Sequence, residues 1–168
     1  MPLQIALLRA VNLGPHGKVA MADLRKLFED EGLTDVQTVV NSGNVVFSST
    51  KKPAAREQQL EQAAERELGL STDFYVRTAS EWAAIVKRNP FTKEAKENPT
   101  MLVLMVCGDK VPASVKVTGA KREVVKPSGR EIFITYPDGQ GRSKLKVDAR
   151  GTARNWNTVL KLLELTKV

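Results

Sequence analysis

The stretch VQTVVNSGNVVFSS, residues 36–49, decides the fold class of this chain. Two runs of β-branched and apolar residues flank the turn formers Ser42 and Gly43. Strand-forming residues on both sides of a glycine-containing turn are typical of a β-hairpin. The sequence therefore predicts two antiparallel strands, at residues 36–41 and 44–49.

Helix and strand patterns on both sides of this hairpin complete one unit. Apolar residues recur at helical spacing over residues 21–31 and 54–68, and a glycine follows each run and ends it. Short apolar runs at residues 3–11 and 72–77 predict two more strands. The order β-α-β-β-α-β is the ferredoxin-like arrangement, in which we expect the first and third strands to be antiparallel neighbours.

The second half of the chain nearly repeats this order. Its patterns predict a helix at residues 80–88, a strongly apolar strand at 101–107 and a hairpin of strands at 122–126 and 131–136. A short segment at residues 112–117 is expected to form a helical turn.

A loop at residues 137–151 is expected to lead into the last helix, whose first turn would contain Arg154 and Asn155. The apolar stripe of that helix is predicted to consist of Trp156, Val159, Leu160 and Leu163. We therefore expect an α+β fold of two tandem ferredoxin-like half-domains, residues 1–78 and 79–168, packed as one unit.

The net charge is confined to the end of the chain. Residues 1–107 hold 13 basic and 13 acidic residues, whereas residues 108–168 hold 13 basic and 6 acidic residues and carry the whole net charge of +7. Charge concentrated in one region is typical of a face that meets a negative partner. A pI of about 9.6 is also common among nucleic-acid-binding proteins.

Several chemistries lack the residues that they need. Cys107 is the only cysteine and His16 the only histidine, so we expect no disulfide, no metal site and no cofactor. No nucleophile–base pair stands out, which leaves open whether the protein is an enzyme. No apolar run approaches the roughly 20 residues that span a bilayer, and no targeting segment is recognised, so we expect a cytoplasmic protein without a membrane partner.

The strongest candidate site for an anion lies near the end of the chain. Arg142, Ser143 and Lys144 stand in a glycine-flanked loop, and Arg154 and Asn155 follow at the expected start of the last helix. Backbone N–H groups at a helix start attract anions, and arginine offers two parallel donors. The alternative is a solvated basic loop with Trp156 as a core anchor.

A second polar patch is predicted in the first half. Arg9 and Asn12 end the first strand, and Ser42 and Asn44 lie where the antiparallel third strand begins. We expect these side chains to meet at one edge of the sheet, although polar residues are ordinary at strand ends.

Seven short blocks follow one another along the chain. They are IALLRAVNLG at residues 5–14, MADLR at 21–25, NSGNVVF at 41–47, NPF at 89–91, YPDG at 136–139, GRSKL at 141–145 and RNWNTV at 154–159. Together they resemble the bacterial proteins of domain-of-unknown-function family 1697. The resemblance implies a two-part ferredoxin-like fold and no activity.

Three departures from that family stand out. Its members usually have glycine where Ala10 stands and often glutamine where Asn41 stands. They usually have a longer stretch, expected to be helical, where only residues 146–153 remain here.

Three functions stay open at this point. The first is a nucleic-acid or other polyanion binder without sequence preference that uses the basic second half. The second is an enzyme or receptor for a small phosphate- or carboxylate-bearing molecule, and the third is a homo-oligomeric interaction module.

Overall fold

The computed structural model describes residues 2–9, 20–39, 43–108 and 115–167. The chain divides into two compact units, one of Met1–Ala83 with Leu162–Val168 and one of Ala84–Lys161. The predicted boundary between residues 78 and 79 stays a prediction. Within the described ranges, every helix is too short or too polar to cross a membrane.

The first unit has the predicted order of elements. They are β1 (Leu3–Leu8), α1 (Met21–Asp30), β2 (Thr34–Val39), β3 (Asn44–Ser48), α2 (Pro53–Leu68) and β4 (Phe74–Thr78). The strands form an antiparallel sheet in the order β2-β3-β1-β4, so β1 and β3 are central neighbours, as expected.

One face of this sheet and the two helices enclose the core of the first unit. Alternate residues of the strands, such as Ala6 and Phe47, pack against Phe28 of α1 and Leu60 of α2. Phe28 and Phe47 meet edge to face, with ring centroids 5.4 Å apart. The apolar residues at helical spacing and those that alternate along the strands therefore pack together in one core cluster.

The second unit is built on another antiparallel sheet. Helix α3 (Ala79–Lys87) begins in the first unit and ends in the second. The other elements of the second unit are α4 (Thr92–Glu97), β5 (Leu102–Cys107), β6 (Val117–Thr118), β7 (Val124–Ser128), β8 (Glu131–Thr135), β9 (Lys146–Val147), β10 (Gly151–Asn155) and the first part of α5 (Trp156–Leu165). The main sheet has the order β10-β5-β8-β7, and β6 pairs with β9 in a separate ribbon. Among the described residues, helices α3 and α4 precede β5 in the chain, and helix α5 follows β10.

The prediction that Arg154 and Asn155 belong to the first turn of the last helix is wrong. Both residues lie in β10, which pairs with β5, and α5 begins one residue later, at Trp156. The physical reason is an alternation that extends back to Thr152: Thr152 and Arg154 are buried, whereas Ala153 and Asn155 are exposed. This period of two belongs to a strand.

The buried stripe of α5 also differs in part from the prediction. Trp156 and Val159 are buried as expected, but Leu162 completes the stripe, and Leu160 is 39% exposed. The stretch predicted as a loop at residues 137–151 contains β9, and the helical turn predicted at 112–117 lies largely outside the described residues.

Candidate functional site

The β6–β9 ribbon brings two basic segments of the second unit side by side. Val117 pairs with Val147 and Thr118 with Lys146, in antiparallel register. The ladder continues by one step, because the Asp148 N–H donates to the Lys116 carbonyl at 2.8 Å. Segments that are distant in the sequence thus form one small surface.

Each strand of the ribbon has an apolar inner side and a polar outer side. Leu145, Val147 and Ala149 pack against the cluster of buried side chains on one face of the main sheet, as does Val115. The residues between them are exposed: Lys116, Thr118, Lys144, Lys146 and Asp148. Burial of the inner side therefore holds three lysines on the outer side.

A close backbone approach fixes the end of the ribbon. Gly119 has φ +74° and lies so near the Lys144 carbonyl that a Cβ atom at this position would clash with it. Glycine alone fits both the conformation and the space. Residues 119–123 are thereby placed beside residues 142–146.

Further cations surround the carboxylate of Asp138. The Arg122 guanidinium donates to both carboxylate oxygens, with Nε 2.9 Å from Oδ2. This hydrogen bond, together with the charges of Arg122, Lys121 and Arg142, lowers the pKa of Asp138 below its usual value. Three cations therefore stand around one exposed carboxylate.

Ser143 links the two segments through its hydroxyl group. Its Oγ donates to Glu123 Oε1 at 3.1 Å and accepts the Leu145 N–H at 3.1 Å. The pKa of Glu123 is lowered mainly by the hydrogen bond that its carboxylate accepts from the Lys121 backbone N–H. The hydrogen bond from Ser143 lowers it further. Ser143 thus orders the loop.

Six exposed cations belong to the ribbon and to the loops beside it. We call them the basic ribbon surface: Lys116, Lys121, Arg122, Arg142, Lys144 and Lys146.

Arg154 does not belong to this surface. It is buried opposite Leu104 of β5, whereas the ribbon covers the face that carries Val103 and Cys107. Directly paired residues share a face of the sheet, so Arg154 points to the other side. Its Nη1 donates to Thr152 Oγ1 at 2.6 Å and to the Ala153 carbonyl at 2.9 Å, and burial lowers its pKa to about 10.

Asn155 has a structural task at the helix start. Its Oδ1 accepts the Thr158 N–H at 3.0 Å, which is the hydrogen bond of an N-cap residue. The predicted constellation is thus divided: Arg142 and Lys144 belong to the basic ribbon surface, Ser143 orders its loop, Arg154 lies on the other sheet face, and Asn155 caps α5.

The predicted patch of the first unit is described in part. Asn44 pairs with Leu7 near the end of β1, as expected, but its side chain is fully buried and donates to the Val39 carbonyl. Arg9 is exposed and lies 3.4 Å from the Asp73 carboxylate. Asn12 and Ser42 lie outside the described residues. Asn44 therefore stabilises the hairpin.

Aromatic side chains contribute almost nothing to the molecular surface. All nine lie in the described ranges, and each is buried: Phe28, Phe47, Phe74, Tyr75, Trp82, Phe91, Phe133, Tyr136 and Trp156. Among the described residues there is also no cluster of three potential metal ligands. The basic ribbon surface therefore offers charge and hydrogen bonds and no stacking platform.

A cavity of about 360 Å³ lies beside α4 in the second unit. Lys93, Glu94 and Glu97 of α4 line it together with Asn98, Met101, Thr135 and Pro137. Its charged groups are one lysine and two glutamates, whereas the basic ribbon surface has six cations beside three acidic residues. An anionic ligand is therefore better matched by the ribbon than by this cavity.

Over residues 2–9, 20–39, 43–108 and 115–167, these features define an α+β protein with two four-stranded antiparallel sheets and a basic β-ribbon. The chain belongs to the family described as protein of unknown function (DUF1697), whose model matches residues 1–133. The matched range ends before Arg142, Lys144 and Lys146.

One solved structure shows the same fold over almost the whole chain. It is a conserved bacterial protein from Streptococcus pneumoniae, with a TM-score of 0.76 and 21% sequence identity over 99% of both chains. The comparison with curated proteins found no match.

Proposed function

We propose that this protein binds nucleic acid or a related polyanion through its phosphate groups, without sequence preference, at the basic ribbon surface. One observation carries the proposal: burial of the inner side of the ribbon holds Lys116, Lys144 and Lys146 outward together. Lys121, Arg122 and Arg142 belong to the loops beside the ribbon, where they surround the Asp138 carboxylate. Cations that are fixed in one array neutralise several phosphates at once.

The charge balance of this surface supports an affinity typical of non-specific binding. Six cations face three nearby acidic residues, Glu123, Asp138 and Asp148, which leaves a net charge of +3. Non-specific protein–DNA complexes have Kd values of about 10⁻⁴ to 10⁻⁶ M at physiological salt. We expect this protein to bind in that range.

A small-ligand pocket has less support from the same residues. The anion pocket predicted from the sequence included Arg154, and Arg154 lies on the sheet face opposite the ribbon. Arg142 and Lys144 are both exposed. An open row of cations suits an extended polyanion better than a small molecule.

Fluorescence anisotropy with labelled nucleic acid over a salt series tests the proposal. In the test variant Arg142, Lys144 and Lys146 are replaced by Glu. In the control variant Lys51, Lys87 and Lys96, which are exposed and do not belong to the basic ribbon surface, are replaced by Glu. Both triple changes lower the net charge from +7 to +1, so the two variants differ only in where the charge is removed.

We expect the test variant to lose measurable binding and the control variant to stay within about threefold of the unchanged protein, because only the test variant removes cations that are proposed to contact phosphates. Thermal melting of both variants checks that they fold. Equal losses in two folded variants would mean that total charge alone is responsible, and no salt-dependent binding by the unchanged protein would remove the proposal.

The proposed ligand also implies a place of action. We propose that the protein works in the bacterial cytoplasm, where nucleic acid is located. Cell fractionation followed by detection of the protein in the soluble and membrane fractions tests this placement.

A further inference from the structure

We infer that the polyanion is a double-stranded nucleic acid, an inference that rests on the proposed function and specifies its ligand. The first reason is the burial of all nine aromatic side chains. Proteins that bind single strands gain much of their affinity by stacking bases on exposed aromatic rings. The described residues therefore offer a single strand cations and no exposed aromatic ring on which its bases could stack.

The second reason is the charge density of the ligand. A duplex presents one negative charge per about 1.7 Å of its axis, and its counterions are released on binding. A single strand that finds no stacking partner offers fewer charges along the same length and must also be ordered. A binder that relies on phosphate contacts alone therefore favours the duplex.

The third reason is that the protein side of the contact is preorganised. The inner residues of the ribbon, Leu145 and Val147 among them, are anchored in the core. The tight approach of Gly119 to Lys144 and the two hydrogen bonds from Arg122 to Asp138 hold the flanking loops. A fixed array of cations meets the fixed phosphates of a duplex with little loss of conformational entropy.

The experiment compares duplexes and single strands of one length and one base composition in the same salt series. DNA and RNA duplexes are measured in separate arms of the experiment, because both present the regular double row of phosphates that we expect this surface to bind. We expect at least one duplex to bind about tenfold more tightly than its strands at low salt. With about three phosphates neutralised, the slope of log K against log salt should be about −3 for duplex DNA and about −2 for a single strand.

A gain-of-function variant tests the physical reason. Thr118 is exposed on the outer side of the ribbon, opposite Lys146. Thr118→Trp places an aromatic ring among the lysines, and Thr118→Val is the matched β-branched control. We expect the tryptophan variant to bind single strands about tenfold more tightly and to gain less for duplexes, whose bases are already stacked on one another.

The outcomes separate this inference from the proposed function. Salt-dependent binding in which single strands equal or exceed both duplexes overturns the choice of a duplex and leaves polyanion binding intact. A folded Thr118→Trp variant with no gain for single strands overturns the stacking argument. Absence of salt-dependent binding to every nucleic acid removes the proposed function itself.

Discussion

At the scale of single residues, similar polar side chains have very different tasks in this chain. Arg142 and Arg154 both belong to the predicted anion site, yet one is exposed beside Lys144 and the other is buried in a strand. Asn44 donates to the backbone and Asn155 accepts from it, and both stabilise local structure. Burial and hydrogen-bond partners, rather than residue type, separate a binding group from a structural one.

Asn155 gives a prediction about stability. Asn155→Ala removes the side-chain acceptor for the Thr158 N–H at the start of α5. We expect it to lower the free energy of unfolding by about 1 kcal/mol, whereas Asn155→Asp keeps the cap. Chemical denaturation of the three proteins measures the difference. Equal stability of Asn155→Ala and the unchanged protein would contradict the capping role.

Asp138 gives a prediction about binding. Its carboxylate accepts two hydrogen bonds from Arg122 and offsets one positive charge of the basic ribbon surface. If the proposed function holds, Asp138→Asn should strengthen duplex binding several-fold and steepen the salt slope by about 0.9, the effect of one more neutralised phosphate. Glu81→Gln, at an acidic residue of the first unit, is the control. An unchanged slope for Asp138→Asn would place the ligand away from this carboxylate.

At the scale of elements, strand β4 shows how the backbone donors at the edge of a sheet are occupied. Alternate backbone N–H groups of this edge strand donate to carboxylates: Phe74 to Glu61 at 2.9 Å, Val76 to Glu57 at 2.9 Å and Thr78 to Glu81 at 2.8 Å. An edge whose donors are occupied in this way resists pairing with another chain.

Glu61 allows a direct test of that protection. Glu61→Ala leaves the Phe74 N–H without this acceptor, and we expect a loss of about 1–3 kcal/mol in the free energy of unfolding. Glu61→Gln retains an acceptor oxygen and should lose less. Sedimentation at increasing concentration should show more self-association for Glu61→Ala than for Glu61→Gln, and identical behaviour of the two variants would refute the proposed protection.

The elements of the first unit are largely predictable from local patterns, whereas the ribbon is not. Helical spacing around Leu24 and Leu60, and strand patterns around Val45, are local signals that match the final contacts. Residues 144–147 do alternate between lysine and apolar residues, which is a strand signal, but they lie in a basic stretch that reads as a loop. A two-residue strand has little local signal, and its partner lies almost 30 residues earlier in the chain.

At the scale of the whole molecule, the structure shows where part of the excess positive charge lies. The first 107 residues have no net charge, and the surplus cations of the remainder include the six of the basic ribbon surface. This is why the triple Glu variant of Arg142, Lys144 and Lys146 is compared with a variant of equal net charge. Long-range attraction depends on total charge, whereas a bound complex depends on where the cations lie.

Local patterns in the amino-acid sequence predict the α+β class, the order of elements in the first unit and the region that carries the net charge. These properties follow from local periodicity, turn residues and composition, which need no knowledge of distant contacts. Local patterns do not predict that Arg154 lies on the sheet face opposite the ribbon or that Lys116 lies beside Lys146. Both features depend on strand pairing, because the register between strands that are distant in the sequence determines which face of the sheet each side chain occupies.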